Sequence, residues 1–377
     1  VKLPFLDLIQ RPALLVDLQK ADANIASMSA KAVRNKVAFR PHFKTHQSSR
    51  IAELFRKRGV SAITVSSVAM ARYFADAGWQ DILIAFPLNW REMDALNALA
   101  ERVRLGVLVD CQESVEYLAF HVRHAVDVWI KIDTGLHRSG IWWQDQTHIE
   151  TLTRVIMRSA RLNFRGILTH AGQTYHAKSP QNVKELAVTS QQAMLAVKDG
   201  LLAAGFEDVL VSIGDTPGCR LIDDFSGVDE IRPGNFIFFD LEQWQLGACS
   251  QEEIAVAMAC PIVSKNMTRN ELVVYGGAIH FSKETMPYQG EPIYGLVAGE
   301  FNQPFGMLKP DCKVISTTQE HGVIAMDPLS FSQYRVGDVI QVFPVHSCLA
   351  AHLLGEYLDI HTGEKISTLV VKKDFSP

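Results

Sequence analysis

The segment Arg40-Pro41-His42-Phe43-Lys44-Thr45-His46-Gln47-Ser48 sets a lysine between a β-rich run at 36–39 and a stretch with apolar residues at Ile51, Leu54 and Phe55 that closes at Gly59. That spacing predicts a strand giving way to a helix over 47–58. A lysine at the carboxyl end of a parallel strand sits where α/β proteins do chemistry. Once partly desolvated, its amine can lose a proton and attack an aldehyde. A solvent-facing loop lysine is the alternative reading. Four further segments follow β-rich runs in the same way: Lys131-Ile132-Asp133-Thr134-Gly135-Leu136-His137-Arg138-Ser139-Gly140, His170-Ala171-Gly172-Gln173-Thr174-Tyr175, Gly214-Asp215-Thr216-Pro217-Gly218 and Arg232-Pro233-Gly234-Asn235. The last two offer bare backbone N–H groups and the Thr216 hydroxyl, which is what a phosphate requires. One such loop would pass as a plain turn. Two adjacent loops opposite a lysine argue for an anion site.

A second constellation is His346-Ser347-Cys348, after an apolar run at 339–343 and Pro344. Read as an extended segment, residues i and i+2 share a side, so imidazole and thiolate can converge on one cation, with Zn²⁺ the fitting metal. Taken alone, a buried core cysteine beside an incidental histidine is the better reading, since unpaired Cys is usually core. Two protein ligands are also fewer than the usual three of a catalytic zinc site.

The elements that must position these groups alternate. Strand patterns fall at 37–43, 62–66, 82–86, 103–109, 128–133, 164–170, 209–214 and 228–232, with helical patterns such as 68–77, 91–100 and 183–204 between them. Eight strands alternating with helices predict an α/β fold, a (β/α)8 TIM-type barrel. An open doubly wound sheet is disfavoured because no G-x-G-x-x-G follows an early strand. Beyond residue 251 the pattern turns to strands at 254–259, 271–275, 313–318, 321–326, 339–343 and 357–360, with no long amphipathic helix. The expected division is a barrel over 18–249 and a C-terminal β-domain over 250–377, joined by 1–17 with an early strand at 13–18.

Composition limits the partners. The 377 residues carry a formal charge of -4, with 47% hydrophobic and 21% charged residues, so neither nucleic acid nor an anionic membrane is an expected partner. No apolar run is long enough to span a bilayer, and the opening Val1-Lys2-Leu3-Pro4-Phe5-Leu6-Asp7 lacks a signal-peptide core. The six scattered cysteines form no C-x-x-C pair, which predicts reduced thiols and a cytoplasmic protein.

An aldehyde cofactor carrying a phosphate and held by a lysine is pyridoxal phosphate. On the Lys44, Arg138 and strand-end segments the chain resembles the fold-type III pyridoxal phosphate enzymes that include alanine racemase. Within them it is most similar to the D-serine dehydratase and D-threonine aldolase family, from Arg11-Pro12-Ala13-Leu14 to His346-Ser347-Cys348. The resemblance implies that Lys44 forms the internal Schiff base and that Arg138 lies beside the phenolic oxygen. Arg232 then matches the arginine facing the pyridine nitrogen. Gly214, Thr216, Gly234 and Asn235 fall where the family holds the phosphate, and Tyr175 on its active-site tyrosine. His170 is the best of the strand-end histidines for the cofactor, whereas His42, His46, His137 and His176 read as hydrogen-bonding scaffold.

The resemblance also assigns His346 and Cys348 to a divalent metal. His-x-Cys with zinc marks the dehydratases, and His-x-Asp, suited to manganese or magnesium, marks the aldolases. The implied activity is α,β-elimination from a β-hydroxy D-amino acid, D-serine foremost, to a 2-oxo acid and ammonia. D-threonine aldolase cleavage is the alternative. A racemase is disfavoured because the second acid–base tyrosine has no matching context, and a non-catalytic carrier because those relatives are a barrel alone. A homodimer is the oligomer expected by analogy.

Overall fold

The computed structural model describes residue 6, residues 9–299 and residues 305–370. The opening segment 1–5, read above for a signal peptide, lies outside the described residues. The chain forms two compact units: one of Ala26–Lys44 with Ala52–Gly234, the other of Val1–Ile25, Thr45–Ile51 and Asn235–Pro377.

The first unit is a nearly closed parallel barrel of eight strands. In spatial order they are Ala38–Phe39, Glu230–Ile231, Leu210–Ile213, Leu162–Leu168, Val126–Asp133, Arg104–Val109, Asp81–Pro87 and Ala62–Val65. The strand expected over 37–43 is only two residues long, because Pro233 has no N–H to give Arg40 O on one side and Pro41 has none to give on the other. The seam is closed instead by two backbone bonds, Phe43 N–H to Thr64 O (2.8 Å) and Thr64 N–H to Pro41 O (3.0 Å). The barrel interior packs Leu83, Leu108, Trp129 and Leu168, each at most 3% exposed. Near one end, Arg40 spans Asp81 and Glu230 at 2.6 Å each, and Arg104 meets Asp127 at 2.8 Å. At Gly166 (φ +144°) a Cβ would stand 2.0 Å from Leu210 O, so the adjoining strand tolerates no side chain there.

The second unit is a nine-stranded sheet, ordered Glu271–Tyr275, His321–Ala325, Leu308–Thr317, Gly295–Ala298, Val339–Pro344, Val256–Asn266, Ala13–Val16, Glu356–Asp359 and Lys365–Ser367. Its pairings are antiparallel except between Ala13–Val16 and Glu356–Asp359. Gly295–Ala298 adds a strand outside the runs read from the sequence, and Met286–Tyr288 pairs with Glu291–Ile293 as a hairpin. Positive φ at both Gln289 (52°) and Gly290 (86°) gives that hairpin its turn.

Residues 235–249 group with the β-unit because Glu242 N–H bonds Val345 O and Ala255 N–H bonds Phe238 O. Residues 45–51 join it through Tyr357 Oη–H to His46 O (2.7 Å) and Leu369 N–H to Gln47 O (2.7 Å). Among the described residues no helix is long and apolar enough to cross a membrane. No cysteine is in a disulfide, and five of the six are buried.

Candidate active site

In the barrel unit, the lysine is placed by the residue before it. Phe43 is fully buried, with its ring centroid 4.8, 4.9 and 5.1 Å from those of Phe55, Phe74 and Trp79. That aromatic nest pins the turn and leaves Lys44 exposed rather than desolvated. Its backbone N–H points to His42 Nδ1 at 3.3 Å, a scaffold role for that histidine.

The loop after Val126–Asp133 is wound on a carboxylate. Asp133 accepts from Gly135 N–H (3.0 Å), His137 N–H (3.1 Å) and His137 Nδ1 (3.1 Å). Burial would raise its pKa, but those bonds and the charges of His137 and Lys131 hold it low. The loop carries Arg138 at its exposed tip. Beneath it lies Lys131, which is buried and donates to Ile132 O at 2.7 Å. Burial first, then the charges of Arg232 and Arg138, pull its amine down to about 7. A Cβ on Gly140 (φ +106°) would come within 2.9 Å of that side chain.

Three more strand ends complete this side. His170 Nδ1 donates to Gly214 O at 2.7 Å, so in the neutral ring Nε2 carries no proton. Burial and the charges of Lys44, Arg138 and Lys131 lower its pKa well below the ordinary value, which keeps the ring neutral. Tyr175 stands with its ring centroid 6.3 Å from that of His170. Gly214 presents bare backbone: a Cβ there would be 3.0 Å from Arg232 Cβ and O. Thr216 is 1% exposed and its buried Oγ1 has no hydrogen-bond partner. Arg232 is buried, with Nε donating to Ser212 Oγ (2.7 Å) and a terminal nitrogen to Thr169 O (2.5 Å). Burial lowers it to about 10, still a cation at neutral pH. Gly234 ends the unit, one residue past Pro233, whose carbonyl accepts from His42 N–H at 2.9 Å.

These features fit a phosphorylated aldehyde. Three cations (Lys44, Arg138, Arg232) and Lys131 are carried on strand ends or the loops that follow them, in a unit that also holds an orphaned buried hydroxyl and a glycine where a Cβ would crowd Arg232.

The β-unit holds the second constellation, and its geometry corrects the extended reading of His346-Ser347-Cys348. His346 is extended (φ -129°, ψ 105°), but it is the N-cap of a helix, Ser347–Leu354, and Cys348 lies in the first turn. The run Ser347-Cys348-Leu349-Ala350-Ala351-His352-Leu353-Leu354 is rich in helix formers and ends at Gly355 in the left-handed region (φ 71°). Cys348 is nevertheless among the groups that raise the His346 pKa. Cys348 Sγ is also 3.3 Å from Thr45 Oγ1, the residue that follows Lys44 in the chain.

The flanks of His346 are locked by residues that pattern reading missed. Buried Asp240 caps the short helix Leu241–Gln245 through Oδ1, which accepts from Gln243 N–H at 3.1 Å. Its Oδ2 accepts from Asn235 Nδ2 (2.6 Å), Ser347 N–H (2.8 Å) and Ser347 Oγ (3.1 Å). The Asn235 side chain is therefore committed here, 3.6 Å from Cys348 Sγ. Glu284 Oε2 and Glu242 Oε2 lie 3.1 and 3.4 Å from His346 Nδ1. Burial alone would lower His346, but Cys348, Glu242 and Glu284 raise it above its ordinary range. Asp-x-x-Gln at 240–243 is a readable cap signature, whereas nothing local marks Glu284. Among the described residues no three His, Cys, Asp or Glu side chains converge as a ready-made metal cage. The donor set nevertheless fits a borderline-soft divalent ion: one imidazole, with Glu242 and Glu284 against it, and one thiol.

The barrel and its lysine-bearing strand end define an alanine racemase-like protein, and comparison with known proteins agrees. Residues 16–242 match the family model "Alanine racemase, N-terminal domain", and residues 255–360 match the serine dehydratase domain. The chain belongs to the family defined by the alanine racemase N-terminal domain. It is 28% identical to D-threo-3-hydroxyaspartate dehydratase of Delftia sp. (strain HT23), covering 90% of this chain and 91% of that protein. It is 28% identical to D-serine dehydratase of Dictyostelium discoideum, covering 95% of each. D-threonine aldolase of Arthrobacter sp is 25% identical over 90% of this chain and 86% of its own. The solved Delftia enzyme superimposes with a TM-score of 0.88 at 27% identity, covering 96% of this chain and 98% of that one. Two solved variants of that enzyme replace a histidine and, two positions on, a cysteine with alanine; the cysteine variant is in a metal-free form.

Proposed function

We propose that this protein is a pyridoxal phosphate-dependent, metal-dependent lyase acting on a β-hydroxy D-amino acid, with D-serine dehydration as its reaction. The observation that carries the reading is Lys44, pinned by buried Phe43 at a barrel strand end, in the same unit as the orphaned Thr216 hydroxyl. In this reading Lys44 holds the cofactor aldehyde. Arg138 faces its phenolic oxygen, and Gly214, Thr216, Gly234 and the Asn235 backbone hold its phosphate. His170 and Tyr175 border its ring. Arg232 faces the pyridine nitrogen; because a guanidinium donates and does not accept, that nitrogen stays unprotonated. His346 and Cys348 hold Zn²⁺.

When bound, the cofactor supplies an electron sink for the α-carbon and the metal a Lewis acid for the departing hydroxyl. The chain supplies the rest. The Lys44 amine takes the α-proton, and its exposed position leaves it room to reach the substrate. Neutral His170 adds no charge beside Lys44. The hydroxyl leaves as water, and the enamine product hydrolyses to a 2-oxo acid and ammonia. The thiol at 348 in place of a carboxylate favours dehydration over aldol cleavage. The same parts would serve a D-threonine aldolase. We further propose a homodimer in a reducing, cytoplasmic compartment, in keeping with its unbridged thiols.

The test offers purified protein, loaded with pyridoxal phosphate and zinc, D-serine, D-threonine and D-threo-3-hydroxyaspartate. Keto acid and ammonia are expected. Glycine plus an aldehyde would select the aldolase, and no turnover of any of the three would end the reading.

A further inference from the structure

We propose that Glu284 and Glu242 are positioning residues for the metal: Glu284 holds the Nδ1 proton of His346, with Glu242 in support beside it, and so leaves Nε2 as the atom that coordinates the cation. This inference rests on the metal-dependent reading above and deepens it.

A neutral imidazole has one N–H, and the nitrogen that binds a metal must be bare. In water the two tautomers compete, so a ligand histidine gains affinity when an acceptor fixes the proton on its other nitrogen. Here Nδ1 faces carboxylate oxygens at 3.1 Å (Glu284) and 3.4 Å (Glu242). The shorter contact makes Glu284 the primary acceptor. Glu242 Oε2 is buried and makes no hydrogen bond of good geometry, so it supports from the enclosed side.

What makes the arrangement more than a loose acidic cluster is its frame. Glu242 lies on the helix Leu241–Gln245, and its own N–H donates to Val345 O, the residue before His346. The cap of that helix, Asp240, accepts from the N–H of Ser347, the residue after it. One short helix therefore fixes both the carboxylate and the backbone on either side of the imidazole. The two glutamates differ in setting: the Glu284 side chain is 49% exposed and that of Glu242 25%. Alanine at both should therefore matter more than alanine at either.

The alternative use of the same carboxylates is direct ligation, and glutamine separates the two. A glutamine oxygen still accepts from Nδ1–H, but an uncharged amide is a poor zinc ligand. Zinc affinity is measured on metal-depleted, cofactor-loaded protein by competition with a chromogenic chelator. Glu242→Ala with Glu284→Ala is expected to weaken zinc binding roughly 10- to 100-fold. Glu242→Gln with Glu284→Gln is expected to hold the wild-type affinity to within about threefold. Cofactor absorbance and thermal unfolding report whether each variant folds; should the alanine pair fail, Glu284→Ala on its exposed loop carries the test with a smaller loss. Wild-type affinity in the folded alanine variants would overturn the proposal. A loss in the glutamine pair equal to that in the alanine pair would overturn it in favour of ligation. If the unmutated protein binds no zinc, the metal-dependent reading itself fails first.

Discussion

The barrel strand ends and the β-unit cluster solve opposite electrostatic problems. The barrel gathers Lys44, Lys131, Arg138 and Arg232 with Asp133 and Asp215, and it tunes them by burial: Lys131 falls to about 7 and His170 stays neutral. The β-unit gathers Asp240, Glu242 and Glu284 around one imidazole and one thiol. The first arrangement suits a phosphate and carboxylates, the second a cation. They are also built differently. The barrel presents groups by repetition, one strand end after another, with bare backbone at Gly214. The β-unit ties distant loops together through one buried carboxylate, Asp240.

If each unit owns its own ligand, the two can be broken separately. Lys44→Ala should abolish turnover and covalent cofactor attachment while leaving zinc affinity intact; borohydride reduction and peptide mapping should find no tag in the variant and a tag on Lys44 in the parent. Cys348→Ala should lose zinc and activity yet keep the cofactor spectrum. Full turnover of Cys348→Ala in the presence of EDTA would remove the metal from the mechanism.

Stability offers a sharper version of the same contrast. Phe43→Ala empties a nest of three rings and should cost about 3–5 kcal/mol, with weakened cofactor retention. Asp240→Ala strands the Ser347 N–H and the Asn235 amide in a buried site and should cost on the order of 3 kcal/mol, with weakened zinc binding. Denaturant melts with both ligand titrations would check the pair. Equal loss of both ligands in either variant would show that the two constellations are not independently built.

The contrast also explains what could be read in advance. The barrel site was legible because every candidate follows a β-rich run, so periodicity alone places Lys44, Arg138, His170, Gly214 and Thr216 at strand ends. Lys131 and Asp133 escaped notice as chemical groups because burial, which sets their behaviour, is a tertiary property. In the β-unit the types His346 and Cys348 were legible, but the backbone between them was not. The apolar strand before Pro344 suggested continued extension, while the Ala-Leu run after it turned helical. Glu284 reaches His346 across 62 residues of chain, a pairing no local pattern encodes.

The smallest expected effect lies in Asp215, a barrel carboxylate whose pKa burial raises on balance. It is 6% exposed and accepts from Gly218 N–H (2.5 Å), with Thr174 Oγ1 at 3.0 Å. Burial raises its pKa to about 6, against the pull of those bonds and of Arg232. The native state therefore holds this proton more tightly than the unfolded chain, whose Asp titrates near 3.9. Its stabilising contribution is full below about pH 4 and is lost as pH rises through about 6, at most about 3 kcal/mol for a shift of about two units. Asp215→Asn keeps an acceptor for Gly218 but cannot titrate. The melting temperature of the variant relative to the parent should climb between pH 4 and 6 and level off above. A pH-independent difference would mean that the carboxylate is not buried as described, and that the barrel is wetter around Asp215 than its geometry implies.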